Sequence, residues 1–293
     1  MEKNKSKISL ITAMLIFSSI GIFRKYIPLS SGLIAFVRGL IGSLFLIGFA
    51  LLTKKKPDFS AIKKNLTVLC VSGAFIGFNW ILLFEAYNFT SVAVATLCYY
   101  MAPVFVILAS PFIFGEKLTL KNIVCIIGAL VGMVFVSGIF NIEKINFSEM
   151  RGILLGLGAA VLYACVVLIN KKIEGINAED RTTIQLSSAA IVLLPYVLFF
   201  EGLPEASEIT PLVLVLLVFV GIVHTGLAYA LYFGSMKNIE ARTVALFSYI
   251  DPVVAIILSA VILKESMGIL SIVGTVMVLG FTLLNELPEK NRE

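Results

Sequence analysis

Four ionisable residues lie inside long apolar segments of this 293-residue sequence, namely Arg38, Glu85, His224 and Asp251. A charged side chain at the centre of a membrane helix costs roughly 2.5–3.5 kcal/mol on translocon scales, so such residues usually face a cavity or a partner. Asp251 directly precedes Pro252, whose ring removes a backbone donor and frees the carbonyl of Ser248. An acid beside free carbonyls in a kinked helix fits a site for a cationic group or a coupling proton. The alternative is that Asp251 pairs with Arg38 or another polar side chain and only locks helices together.

The other three ionisable residues suggest different roles. His224 is the only histidine, and its neutral imidazole either lines a cavity or packs as a satisfied side chain. Glu85 lies nearer the predicted outer end of its segment, where gating the mouth of a cavity is one interpretation. Arg38 is a further candidate for coupling or gating, although we favour a structural pairing with Glu85. Because no second His or Cys stands at ligand spacing, we predict no metal site and no cofactor.

Aromatic and amide side chains near these groups predict a pocket. The candidates are Asn79, Trp80, Tyr99, Tyr100, Tyr229, Tyr232 and Tyr249. Aromatic rings hold apolar or cationic groups, and their hydroxyl or N–H tips add direction, although ordinary packing is the alternative for each. Tyr100 and Tyr249 stand out because each comes three residues before a proline. We expect those prolines, Pro103 and Pro252, to kink their helices and act as hinges.

The composition places these residues in membrane helices. Hydrophobic residues make up 59% of the chain and charged residues 14%, where about 25% charged is usual for soluble globular proteins. The mean hydropathy is +1.02. These values exclude a soluble globular fold, a disordered chain and a disulfide scaffold. The net charge of +5 is spread beside apolar segments, so we predict no nucleic-acid partner.

Ten apolar segments are long enough to cross a bilayer, which takes about 20 residues per helix. They are residues 8–27, 31–53, 65–88, 91–113, 119–140, 151–170, 182–200, 210–236, 240–262 and 267–286. When the chain alternates across the membrane, most of the 23 Lys and Arg residues fall on one side, which the positive-inside rule makes cytoplasmic. We therefore predict an all-α integral protein of the cytoplasmic membrane, with ten transmembrane helices and both termini in the cytoplasm.

The two halves of the sequence resemble each other. Residues 97–116 align without a gap to residues 246–265, with eight identical positions that include a tyrosine, a proline and a glutamate. Five spans per half is an odd number, so the second copy enters the membrane from the opposite side. Inverted repeats of this kind are typical of secondary transporters. The predicted organisation is a first repeat, an inter-repeat loop, a second repeat and a cytoplasmic tail, at residues 1–140, 141–150, 151–286 and 287–293.

Short motifs recur at matching places in the two repeats. They are Tyr100–Pro103 (YMAP) with Gly115–Thr119 (GEKLT), and Tyr249–Pro252 (YIDP) with Lys264–Glu265. A single arginine, Arg38, lies near the start of the second span. In this order and spacing the whole chain resembles the EamA type of the drug/metabolite transporter superfamily. The resemblance implies two five-helix repeats joined by short loops. Two residues depart from it: Lys264 stands where the first repeat has Gly115, and Asp251 where the family usually has a small residue.

The expected function is secondary active transport of a small metabolite, an amino acid or a related amine, by alternating access. Export is favoured by the resemblance alone, and proton coupling through Asp251 is one driving force. Uptake of the same substrates is the alternative, and a channel is a weaker one. We predict no enzyme activity, because the spans carry no paired acids, paired histidines or nucleophile motif. The expected partners are the lipid bilayer and the small-molecule substrate, in a monomer or a homodimer.

Small residues four apart predict close helix packing in three spans. The pairs are Gly73 with Gly77, Gly128 with Gly132, and Gly152 with Gly156. Faces of this kind let two helix backbones approach each other in a membrane. For the fifth span, which carries the second pair, two interpretations stay open: a homodimer face, or a contact within the first repeat.

Overall fold

The computed structural model describes residues 2–115, 117–136, 147–236, 244 and 247–287, and every regular element in these ranges is helical. The α-helices are α1 (Glu2–Ser18), α2 (Ile20–Lys25), α3 (Ser31–Leu52), α4 (Phe59–Phe89), α5 (Val92–Tyr99), α6 (Ala102–Phe114), α7 (Leu120–Val136), α8 (Phe147–Lys172), α9 (Ala178–Tyr196), α10 (Pro211–Phe219), α11 (Ala228–Met236), α12 (Ile250–Ile262) and α13 (Ile269–Glu286). Two π-helical segments, Val197–Glu201 and Val220–Leu227, directly follow α9 and α10.

Within the described residues, seven helical stretches are long and apolar enough to cross a membrane. They are Asn4–Lys25, Ser31–Leu52, Phe59–Phe89, Val92–Phe114, Phe147–Lys172, Ala178–Glu201 and Pro211–Ser235, and three shorter apolar helices are Leu120–Val136, Ile250–Ile262 and Ile269–Asn285. The chain is therefore a helical, multi-pass membrane protein. Glu116, most of the predicted loop 141–150, the start of the predicted span 240–262 and the tail from residue 288 lie outside the described residues.

The two prolines expected to kink helices stand instead in the first turns of new ones. α5 ends at Tyr99, and α6 begins at Ala102 with Pro103 as its second residue. Pro252 is the third residue of α12, directly after a turn at Tyr249. Proline is favoured in a first turn because its missing N–H has no intrahelical acceptor there. The interruptions are thus breaks between helices rather than bends within one.

The glycine face of the fifth span packs against the last helix of the chain, so both sequence interpretations of it were wrong. Gly128 faces the ring of Phe281, and a Cβ on Gly132 would lie 2.9 Å from the carbonyl oxygen of Gly274. α7 and α13 therefore meet backbone to backbone, which only glycine at these places permits. The seam joins the two halves of one chain, and its residues are not free to form a dimer face.

A second close approach brings the π-helical segment Val220–Leu227 against α3. A Cβ on Gly42 would overlap the methyl group of Thr225, and one on Gly221 would lie 2.6 Å from the Cβ of Ile41. These glycines let the two backbones approach until the hydroxyl of Thr225 reaches the side chain of Arg38, one helical turn before Gly42. The segment thereby positions a charged residue of α3.

Candidate functional site

A cavity of about 300 Å³ lies among helices from both halves of the chain. Its volume falls at the lower end of the range for sites that hold small molecules. Helices α1 to α6 line it from the first half, and α8, α11 and α12 line it from the second. Its polar and charged lining consists of Ser18, Arg38, Thr96, Ser248 and Asp251, together with tyrosine hydroxyls.

Asp251 meets the first half of the chain through Tyr100. The hydroxyl of Tyr100 donates a hydrogen bond of 2.8 Å to Oδ2 of Asp251. The same hydroxyl lies 3.4 Å from the carbonyl oxygen of Ser248, the group that Pro252 leaves without an intrahelical donor. Tyr100 lies in the break between α5 and α6, and Asp251 in the first turn of α12. The two helix interruptions therefore face each other, with the acid between them.

Tyrosines form most of the aromatic wall of the cavity. The ring of Tyr99 lies 6.1 Å from that of Tyr100 and 5.3 Å from that of Tyr163, between ring centroids. Tyr100 and Tyr249, which occupy equivalent places in the two predicted repeats, have ring centroids 6.5 Å apart. Phe17 contacts Tyr229 edge to face at 5.3 Å on another part of the wall. Such a wall suits an apolar or cationic group, because the ring faces attract positive charge.

Arg38 is the cationic residue of the cavity lining, and its side chain is only 6% exposed. Nε donates a hydrogen bond of 2.7 Å to Oγ1 of Thr225. The guanidinium carbon lies 4.2 Å from the centroid of the Trp80 ring, and 5.7 Å from that of Phe84. A hydroxyl and two aromatic faces thus hold the guanidinium in place.

The expected pairing of Arg38 with Glu85 is wrong. Oε2 of Glu85 accepts hydrogen bonds from Ser31 and from Asn88, at 2.8 Å and 3.0 Å. Arg24 joins this cluster, because its Nη2 donates to the hydroxyl of Ser31 at 3.2 Å. Glu85 therefore sits in a polar cluster with the start of α3 and the end of α2, and not in the cavity lining.

His224 and Asn79 also lie away from the cavity lining. Nε2 of His224 is 2.9 Å from the hydroxyl of Ser19, and the imidazole sits between the rings of Phe23 and Phe219. Asn79 is buried, and its Nδ2 donates to the carbonyl oxygen of Ala159 at 2.5 Å. His224 therefore contacts the junction of α1 and α2, and Asn79 links α4 to α8.

The structure brings most of the other predicted site residues together. Arg38, Trp80, Tyr99, Tyr100, Pro103, Tyr229, Tyr232, Tyr249 and Asp251 all line the cavity, whereas Pro252 does not. The sequence reasoning missed Phe17, Tyr87, Thr96 and Tyr163, which also line it. Tyr163 lies in an apolar helix with no motif around it. Its hydroxyl, a polar group at membrane depth, was a signal in the sequence that could have marked it as a cavity residue.

A metal site has no candidate ligands in the part of the chain that the structure describes. No group of three or more His, Cys, Asp or Glu side chains there is close enough to hold an ion. The described lining of the cavity offers charged groups, hydrogen-bonding groups and aromatic faces for recognition of a ligand.

The helices and the cavity define a multi-pass membrane protein with a chamber at the junction of its two halves. The EamA-like transporter family matches residues 5–138 and 150–286. The chain belongs to the EamA-like transporter family. Its role is therefore transport across a membrane, with a small molecule as substrate and the lipid bilayer as surroundings.

Individual relatives agree with this assignment. An uncharacterised transporter of Bacillus subtilis strain 168, YxxF, is 32% identical over 282 residues, which cover 94% of this chain and 88% of the relative. A probable amino-acid metabolite efflux pump of Salmonella typhimurium strain LT2 is 29% identical over 234 residues, covering 76% and 77%. A crystal structure with 20% sequence identity matches 95% of this chain and 96% of its own with a TM-score of 0.65, which is a likeness of fold.

Proposed function

We propose that the chain is a secondary active transporter that moves an amino acid or a related amine across the cytoplasmic membrane. We favour export, because a relative is named an amino-acid metabolite efflux pump. The observation that carries the proposal is one cavity lined by both halves of the chain and containing an acid, a base and an aromatic wall. Asp251 binds the amino group of the substrate, or carries a coupling proton, and the tyrosines enclose the remainder.

The proposed mechanism is alternating access by two inverted five-helix repeats, residues 1–140 and 151–286, that together cross the membrane ten times. Tyr100 and Asp251 support it, because they bring the helix breaks of the two repeats into contact at the cavity. Rocking one repeat against the other changes which end of the cavity meets water. Pro103 and Pro252, at the breaks, serve as the hinges.

A polar contact between the repeats lies at the predicted outer end. Oε2 of Glu265 accepts a hydrogen bond of 2.8 Å from the backbone N–H of Val92, at the start of α5. Its other oxygen lies 3.7 Å from Nζ of Lys25. Glu265 thus links α5 and α2 of the first repeat to the end of α12. We propose that this contact closes the outer entrance and breaks when the cavity opens outward, with the Glu85 cluster gating beside it.

Counterflow in proteoliposomes tests the proposal. Purified full-length protein is reconstituted, loaded with one unlabelled amino acid or amine, and given the same compound in labelled form outside. We expect transient accumulation that saturates with concentration for at least one compound. Absence of accumulation for all twenty amino acids and their decarboxylated amines contradicts the proposed substrate class, and non-saturating flux indicates a channel.

The orientation has its own test. Reporter domains that are active only on one side of the membrane are fused to either terminus. We expect both to report the cytoplasm, because the lysine-rich ends of the predicted spans favour that side. An external carboxyl terminus contradicts ten crossings.

A further inference from the structure

We propose that Arg38 receives the carboxylate of the transported molecule, so that the transporter carries amino acids and rejects amines that lack a carboxylate. This inference rests on the proposed function and narrows its substrate class. Sequence reasoning favoured a structural partner for Arg38, and the structure offers no acidic one among the described residues.

The guanidinium of Arg38 is fixed but not neutralised. Nε of Arg38 donates a hydrogen bond to Thr225, and the guanidinium group lies over the ring of Trp80. Nη1 and Nη2 make no hydrogen bond to any described residue, and Arg38 is part of the cavity lining. Arg38 also makes no ion pair with a described carboxylate. The edge of the fork is therefore available for a ligand.

A buried cation without a counter-ion is costly at membrane depth. Asp251 is the other charged residue of the cavity lining, and its hydrogen bond goes to Tyr100 rather than to Arg38. A ligand carboxylate meets the requirement, since its two oxygens match the two parallel N–H groups at the edge of a guanidinium. The carboxylate supplies the missing negative charge only while the ligand is bound.

The same cavity offers the complementary site for an amine. Asp251 presents a carboxylate that contacts the hydroxyl of Tyr100, and the ring of Tyr249 lies 6.5 Å from that of Tyr100. Arg38 and Asp251 both line the cavity and form no ion pair with each other, so a molecule with a negative and a positive group can contact both. A simple amine leaves Arg38 uncompensated, and a simple carboxylate leaves Asp251 uncompensated. An amino acid satisfies both charges.

The alternative is that Arg38 only fastens α3 to the π-helical segment through Thr225. In that case the loss of Arg38 lowers stability but does not change which compounds are transported. Selectivity between compounds therefore separates the two roles, whereas overall activity does not.

The experiment compares each of the twenty amino acids with its decarboxylated amine in counterflow by the full-length protein. Trp80 is the only tryptophan of the chain and lies against Arg38, so its fluorescence gives a separate binding signal. We expect every transported amino acid to compete at least about tenfold better than its amine, and to change the Trp80 emission. An amine that matches its parent amino acid in both measurements overturns the inference and leaves the proposed function intact.

Variants sharpen the comparison. Arg38→Gln removes the charge, and we expect it to abolish the preference, so that amines compete as well as their parent amino acids. Arg38→Lys keeps the charge without the fork, and we expect it to restore part of the preference. Arg151→Gln is the matched control, because Arg151 covers the ring of Phe89 at 4.1 Å but does not line the cavity.

The outcomes are distinguishable even when a variant folds poorly. Folded Arg38→Gln that keeps the wild-type preference overturns the inference. If Arg38→Gln does not fold, the comparison of amino acids and amines on the wild-type protein still decides, since it needs no variant. If neither amino acids nor amines move, the proposed function itself fails, and Arg38 has no such ligand.

Discussion

Tyr100 and Asp251 come from helix interruptions in opposite halves of the chain, and the hydroxyl of one donates to the carboxylate of the other at 2.8 Å. The contact places an acid at the boundary between the two predicted repeats. A group that binds there therefore touches both repeats at once, which is what a substrate must do to couple their movement.

Asp251→Asn removes the charge and keeps the shape of the side chain. We expect counterflow to fall at least about tenfold, because a hydrogen bond to a charged group contributes about 1.5–3 kcal/mol. The variant should remain folded, since an amide oxygen still accepts from Tyr100. Transport is measured in proteoliposomes, with exposed Glu208→Gln as control. Wild-type transport kinetics for Asp251→Asn would mean that Asp251 only holds helices together and does not bind the substrate.

Tyr100→Phe deletes one hydroxyl that serves two acceptors, Asp251 and the carbonyl of Ser248. We expect a loss of about 1–3 kcal/mol in the free energy of unfolding, because two partly buried acceptors are left without their donor. Thermal unfolding of the purified protein measures it. Tyr26→Phe, at a tyrosine that is 57% exposed, is the control and should be neutral. Equal stability of the two variants is the contrary result.

Gly132→Ala tests the seam between α7 and α13. The added Cβ lies 2.8 Å from the Cβ of Met277 and 2.9 Å from the Gly274 oxygen, so we expect destabilisation of about 1–3 kcal/mol. At Gly280 of α13 a Cβ meets nothing within 4 Å. Gly280→Ala should therefore be neutral or stabilising by about 0.5–1 kcal/mol. Both changes are followed by thermal unfolding, and the reverse order of stabilities contradicts the seam.

Glu265→Ala removes the contact from α12 to Val92 and Lys25. We expect the cavity to open more often to the outside, so that a membrane-impermeant thiol reagent labels Ala255→Cys faster in a background without native cysteines. Glu205→Ala, on an exposed loop, is the control and should leave the rate unchanged. An unchanged rate in Glu265→Ala as well means that this contact does not close the entrance.

The sequence predicts how deep a residue lies in the membrane and how the two halves of the chain align. It does not predict which way a side chain points around the axis of its helix. Tyr100 and Asp251 could be predicted as site residues, because an acid and a proline at membrane depth indicate a site whichever way their helix is rotated. The partner of Arg38 could not, because both Thr225 and Glu85 lie at reachable depths, and only the close approach at Gly42 selects Thr225. His224 was ambiguous for the same reason, and the rotation of its helix turns it toward Phe23 and Ser19.

The pairing of α7 with α13 was equally inaccessible to sequence reasoning. A glycine face predicts that another helix packs closely against it, but not which helix. The face of Gly128 and Gly132 fits any helix that offers a matching small residue. Gly274, near the opposite end of the chain, is that small residue. The spacing of glycines in α7 does not indicate which distant helix provides it.

The seam has a mechanical consequence for any rocking motion. α7 lies in the first half of the chain and α13 in the second, and their backbones interlock through glycine. If the proposed repeats rock against each other, this contact stays in place and the pair is the fixed axis of the movement. The moving parts of the proposed mechanism are then the helices around the cavity.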